Sequence, residues 1–280
     1  MATLTVSQKR AAFRELHRSG CFVLPNPWDA GSARVLAGMG FKALATTSAG
    51  FAWSRGRADG RLSRADVLAH LHDMVEATDL PINADFEGGF ADTPHGVAES
   101  VRLAVATGVA GLSIEDSTGN PHAPLREPND AVARIRAARR AIDETGGEPG
   151  NLPLLIGRAE NFFVGVHDLD DAILRLKAYA EAGADCLYAP GIRTREQIGA
   201  VVAAVAPKPV NVLIGWPSEL TVRDLAELGV RRVSVGGALA RAAWGGFLQA
   251  ARAIAGDGRF DGFAATPTGA QLNAMFEGWQ

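Results

Sequence analysis

Cysteine is nearly absent: Cys21 and Cys186 are the two in 280 residues, too few for a disulfide framework. Lysine is scarce as well, with Lys9, Lys42, Lys177 and Lys208 making up the full set. A basic excess is missing, since the formal net charge is -3. Nucleic-acid binding therefore has no electrostatic footprint and no such partner is expected. No apolar run approaches the roughly 18 residues that suggest a membrane span, so no membrane partner is expected. The opening MATLTVSQKRAAFRELHRSG lacks the charged-then-apolar layout of a signal peptide, and a cytoplasmic setting is the expectation. Low-complexity linkers are missing too. With 47% hydrophobic and 21% charged residues, the composition is that of a globular chain able to bury a core without staples.

Short apolar runs alternate with longer helical patterns. The strand-like runs are CFVLPNP from Cys21, ALATT from Ala43, PINADF from Pro81, GLSIED from Gly111, LPLLIGRAE from Leu152, DCLYAPG from Asp185, KPVNVLI from Lys208 and RRVSVGG from Arg231. Between them, VAESVRLAVATG and DAILRLKAYAEAG carry apolar residues at three- and four-residue steps and end in glycine. Asp168, Thr194 and Thr221 stand where helix N-caps belong. Eight strand-plus-helix units predict one (β/α)8 barrel over residues 1–280. A helix from about Thr5 to Ser19 precedes it. A segment from about Ala238 to Gln280 follows, with a short amphipathic stretch, AQLNAMFEGW, that must pack on the barrel or on a neighbouring subunit. Its Phe260, Phe263, Met275, Phe276 and Trp279 predict a homo-oligomer built on this segment.

In such a barrel the chemistry sits at the C-terminal ends of the strands. Those ends read Asn26, Ser48-Ala49-Gly50, Asp85-Phe86-Glu87, Glu115-Asp116, Arg158-Ala159-Glu160-Asn161, Tyr188, Asn211 and Ser234. Four acids, Asp85, Glu87, Glu115 and Glu160, would surround one arginine. Crowded carboxylates repel and lose hydration, and a divalent cation compensates them. Oxygen ligands with few histidines favour Mg2+ or Mn2+. The alternative is a ring of solvated acids making caps and salt bridges.

No lysine falls at a strand end, which argues against Schiff-base and pyridoxal-phosphate chemistry. Both cysteines fall in strand-like runs and read as core. His17, His70 and His72 fall on helical segments and are expected at the surface. His95, His122 and His167 fall in loops, and His122 is the favoured candidate because its loop, STGNPHAPLREPND, is long. The glycines of SVGGALARAA suit a barrel phosphate site or close strand–helix packing equally.

Taken in order, PNPWDAGSARVLAGMGFKALATTSAG, the Asp59-Gly60 turn, NADFEGG, IED, GRAEN, PVNVL and RVSVGGALARAAW resemble the isocitrate lyase/phosphoenolpyruvate mutase superfamily across nearly the whole chain. The resemblance implies a TIM barrel whose eighth helix is swapped between subunits, usually in a tetramer (a dimer of dimers). It also implies Mg2+-assisted making or breaking of C–C or C–P bonds beside a 2-oxo or enolpyruvyl carboxylate. Carried over by motif, Asp85, Glu87, Asp59 and Glu115 form the metal site. Ser48, Ala49, Gly50, Arg158 and Asn211 bind the small carboxylate substrate. Asn120 and His122 offer polar groups on the loop after strand four, and Arg158 and Glu115 complete the catalytic set. The family's D-x-D-x-G motif reads D-F-E-G-G here, so Glu87 is one methylene longer than usual. The K-[KR]-C-G-H loop of isocitrate and methylisocitrate lyases is absent, as is the E-D-K-x-x-P-K-x-N pattern of phosphonomutases. The expectation is a Mg2+-dependent lyase on a small 2-oxo or 2-hydroxy acid, such as an oxaloacetate-type decarboxylase or C–C hydrolase. The alternatives are phosphonopyruvate mutase or hydrolase chemistry, and a silent carboxylate-binding barrel.

Overall fold

The structure is a computed structural model that describes residues 4–279. Helix α1 (Val6–Leu16) opens the chain, capped by Thr5, and ends three residues short of the expected Ser19. Eight parallel strands follow: β1 (Phe22–Leu24), β2 (Leu44–Ala45), β3 (Ile82–Asp85), β4 (Gly111–Glu115), β5 (Leu154–Arg158), β6 (Cys186–Tyr188), β7 (Val210–Leu213) and β8 (Arg232–Ser234). Each lies inside its expected run. They pair in the order β1-β8-β7-β6-β5-β4-β3-β2, and the Ala45 amide donates to the Pro25 carbonyl at 3.0 Å across the remaining seam. The result is a (β/α)8 TIM barrel.

The outer helices are α2 (Ala30–Gly38), α3 (Ser48–Ser54), α4 (Arg64–Ala77), α5 (Pro94–Ala106), α6 (Pro128–Asp143), α7 (Leu169–Glu181), α8 (Arg195–Val205), α9 (Val222–Glu227), α10 (Ala238–Asp257) and α11 (Gly269–Phe276). Asp168, Thr194 and Thr221 cap α7, α8 and α9 through their side chains, as their positions predict. Strand alternation divides the core in two. Outward residues such as Ile82, Ala84, Leu112 and Val212 meet the helices. Inward residues such as Leu24, Ile156, Cys186 and Leu213 fill the lumen over Phe13 of α1. Gly111 is small for this reason, because a Cβ there would lie 2.8 Å from Asn83 Oδ1 and 2.9 Å from Phe13 Cε1.

Two histidines depart from expectation. His17 plugs the barrel floor between Phe13 and Phe22, and His70 is buried with its ring stacked on Phe51 at 3.7 Å. Helical spacing places a ring on a helix but does not say which face the barrel covers. No helix among the described residues is long and apolar enough to cross a membrane.

Candidate active site

The acids expected at the ends of β3, β4 and β5 do converge on one arginine. Parallel register puts Glu115 beside Arg158. Arg158 Nη1 lies 3.0 Å from Asp85 Oδ1 and 3.2 Å from Glu115 Oε2, and its Nε donates to Glu160 Oε1. The guanidinium also sits over the Tyr188 ring at 5.2 Å. The second Asp85 oxygen accepts the Ser48 amide at 2.9 Å, and the Asp85 amide donates to Thr46 Oγ1 at 2.9 Å.

Glu87 adopts φ +47°, a left-handed conformation uncommon outside glycine, and its carbonyl accepts the Glu115 amide at 3.1 Å. Burial, then the Asp85 and Asp59 carboxylates, push Glu87 up to about 7. Burial raises Asp59 too, helped by Asp85. It drives Glu115 well above the usual carboxylate range against the pull of Arg158. Burial likewise raises Glu160. These four carboxyls are held with less positive charge than they need.

Among the described residues, no three His, Cys, Asp or Glu side chains form a ready protein cage for a metal. An all-oxygen, acid-rich pocket still fits Mg2+ or Mn2+, which keep several waters and need one or two carboxylates. Asp85, Glu87, Asp59 and Glu115 are the groups that would hold it.

Around these groups lie two joined cavities. One, of about 540 Å³, is lined by Asp59, Glu87, Asp92, Glu115 and Glu160, with Arg126 and Arg158. The other, of about 410 Å³, lies toward β6–β8. Ser48, Asp59, Arg158 and Phe163 line both.

Other expected residues sit less centrally. Ser48 and Ala49 face the second cavity. The Gly50 amide is spent on Thr47 Oγ1 at 3.3 Å, and a Cβ there would meet Thr47, Trp28 and Ala240 within 3.2 Å. Packing thus accounts for Gly50. Asn211 is buried one layer down, donating to Ser234 Oγ at 2.9 Å and accepting from Arg232 Nε at 2.9 Å. Asn120 and His122 are exposed on the β4–α6 loop and line neither cavity, whereas Thr118 and Gly119 of that loop do. Asn26 Oδ1 takes the Val235 and Gly236 amides at 2.9 Å each, so those amides of the glycine turn are already engaged.

Sequence reasoning missed Arg126, Arg232 and Asp116. Asp116 turns away from the mouth, accepting the Glu160 amide at 2.8 Å and the Tyr179 hydroxyl at 2.6 Å. It thereby fixes the Arg158–Glu160 segment. The alternation of side chains along β4, with Glu115 inward, was the available signal.

A parallel barrel with an acid-ringed arginine at its strand C-termini is an enzyme architecture of a definite kind. Residues 13–255 match the phosphoenolpyruvate phosphomutase family, and the chain belongs to it. A solved Burkholderia cenocepacia J2315 protein, provisionally assigned as a lyase/mutase, is 49% identical with a TM-score of 0.92, covering 97% of each chain. The solved 2,3-dimethylmalate lyase, a PEP mutase/isocitrate lyase superfamily member, is 26% identical with a TM-score of 0.83, covering 99% of this chain and 96% of its own. Oxaloacetate decarboxylase of Bradyrhizobium sp. (strain ORS 278) is 32% identical over 240 residues, 83% of this chain and 79% of that protein. The superfamily expected from the motifs is therefore the right one, and the relatives point to a lyase or mutase.

Proposed function

We propose that the protein is a carbon–carbon lyase of oxaloacetate type, using Mg2+ or Mn2+ to open the bond beside a 2-oxo or 2-hydroxy carboxylate. The observation that carries this reading is Arg158 at the open end of the barrel, ringed by Asp85, Glu115 and Glu160. The likeness to an oxaloacetate decarboxylase and to 2,3-dimethylmalate lyase supports it.

A bound cation supplies Lewis-acid stabilisation of the negative charge that develops on the substrate oxygens. The protein's own groups do the rest. Arg158 presents a planar fork that orients a carboxylate in plane, once that carboxylate replaces one of its three acid partners. Ser48 and Ala49 line the wall against which the carboxylate lies. The carbon–carbon bond breaks with its electron pair left on the carbon next to the carbonyl, giving an enolate. That carbon then takes up a proton to give the 2-oxo acid product.

The β4–α6 loop carries no cysteine, and Cys21 and Cys186 lie at β1 and within β6. Isocitrate cleavage, which needs a proton handled at the released carbon, is thus disfavoured, by about 10²–10⁴-fold. Decarboxylation of a β-keto acid needs no proton on departing CO2. Carbon–phosphorus chemistry on phosphonopyruvate is the second reading, supported by the family match.

A panel of oxaloacetate, substituted oxaloacetates, phosphonopyruvate, isocitrate and 2-methylisocitrate, run with Mg2+, tests these readings. Pyruvate-type products from the oxaloacetates are expected. Turnover of phosphonopyruvate alone promotes the second reading. Efficient cleavage of either isocitrate contradicts the reading of the loop, and a protein that binds carboxylates but turns none over is a silent barrel.

A further inference from the structure

The β3–α5 loop, residues 86–93, forms much of one wall of the acid cavity: Glu87, Gly88, Phe90, Ala91 and Asp92 all line it. Phe90 at φ +53° joins Glu87 in the left-handed region, with Gly89 between them at φ +83°. Two non-glycine residues keep that conformation only where their surroundings impose it. At one end of the loop the Glu115 amide donates to the Glu87 carbonyl, and Phe90 stands edge-on to the buried Phe86 at 5.1 Å. The other end is held by Arg134 of α6, which lines neither cavity.

Arg134 is 1% exposed. Its Nη1 donates to the Ala91 carbonyl at 2.8 Å, its Nη2 to the Asp92 carbonyl, and its Nε to Asp130 Oδ2 at 3.0 Å. The planar fork thus spans two successive carbonyls of the loop, which a single donor could not do. Filling the core does not account for this residue. Burying a guanidinium against one half-buried carboxylate is unfavourable, and an apolar side chain fills such a space more cheaply. An apolar side chain cannot hold two loop carbonyls in place.

We propose that Arg134 is a positioning residue, which from outside the cavity fixes the β3–α5 loop in its left-handed course and so sets where Glu87 stands in the acid cavity. Asp85 is held separately, by Thr46, Ser48 and Arg158, so loss of Arg134 frees Glu87 and leaves Asp85 in place. The inference rests on the reading of Glu87 as one of the groups that would hold the cation.

The test uses two readouts on the full-length protein. Site-resolved hydrogen exchange, with no metal added, should show the Glu115 amide less protected in Arg134→Gln, because its acceptor is the Glu87 carbonyl. The Asp85 amide, which donates to Thr46 Oγ1, should keep its protection. Mn2+ titrated by calorimetry should bind Arg134→Gln about 10–100-fold more weakly, the usual loss when a group that orients a ligand is removed. Glu87→Gln should weaken Mn2+ binding as well. The double variant should bind no more weakly than Glu87→Gln alone, since both changes remove the same contribution, whereas a residue that only stabilises the fold would give losses that multiply. Should Arg134→Gln fail to fold, Arg134→Lys, which keeps the charge but not the fork, must show the same pattern with a smaller loss. A wild type that binds no Mn2+ would refute the cation reading, and the exchange readout would then decide the positioning role by itself. Unchanged protection of the Glu115 amide, losses that multiply in the double variant, or wild-type Mn2+ affinity in the Arg134 variants overturns the proposal.

Discussion

At the scale of single residues, Arg158 and Glu87 are the most informative. Arg158 serves three acids at once through a planar fork, and a lysine's point charge cannot replace it. Arg158→Lys should lower kcat by about 10²–10³, the usual loss for a placed transition-state donor. Wild-type kinetics in that variant would move the carboxylate clamp elsewhere. Glu87 combines φ +47° with a carboxyl pushed up to about 7, so it is held at a cost to the metal-free fold. Asparagine tolerates the left-handed region and carries no charge. Glu87→Asn should raise the melting temperature without metal and weaken Mg2+ binding, as calorimetry and thermal melts would show. A lower melting temperature, or unchanged Mg2+ affinity, would mean that Glu87 is neither strained nor near the cation.

At the scale of elements, the strands were legible because each is a short apolar run ended by a polar residue, and β3, β4 and β5 deliver Asp85, Glu115 and Arg158 where those runs stop. The helix caps were legible for a similarly local reason. What stayed hidden depends on neighbours in space. Arg232 looks like an ordinary strand arginine until Asn211 and Asn83 are seen around it, and Asp116 is only the neighbour of Glu115 at a strand end until Tyr179 is seen to bind it. The buried face of α4 was hidden in the same way, and it carries a pH dependence. Burial lowers His70 from 6.5 to about 4, so it stays neutral in the fold and protonates on unfolding. Its contribution is fully present above pH 6.5 and is lost as pH falls toward 4. His17, lowered to about 3, acts in the same direction. The buried carboxyls raised in the fold act the other way, so the difference between proteins is what reads His70: His70→Phe, which keeps a ring against Phe51, should lose less stability than the wild type in thermal melts between pH 6.5 and 4. An unchanged slope in His70→Phe would show that the ring titrates normally.

At the scale of the molecule, the C-terminal segment is only half accommodated. Its end returns to the barrel, with Phe276 reaching Gly31 and the Arg34 guanidinium over Trp279 at 5.8 Å. Yet Ala240 is the buried residue of α10, while Phe247 is 60% and Phe260 66% exposed. We propose that this apolar helix, standing off its own barrel, packs against another copy, as the helix exchange expected from the family resemblance requires. Light scattering at micromolar concentration should give a homo-oligomer, with a tetramer expected. Phe247→Glu in this helix should dissociate it, and a monomeric wild type would contradict the assignment. The central claim, that the acid cluster at the strand ends holds a divalent cation, is tested most directly by titrating Mg2+ into the wild-type protein and into Asp85→Ala by calorimetry. Saturable Mg2+ binding by the wild type that Asp85→Ala abolishes is the predicted result. Equal Mg2+ affinity in the two proteins, or none in the wild type, would contradict it.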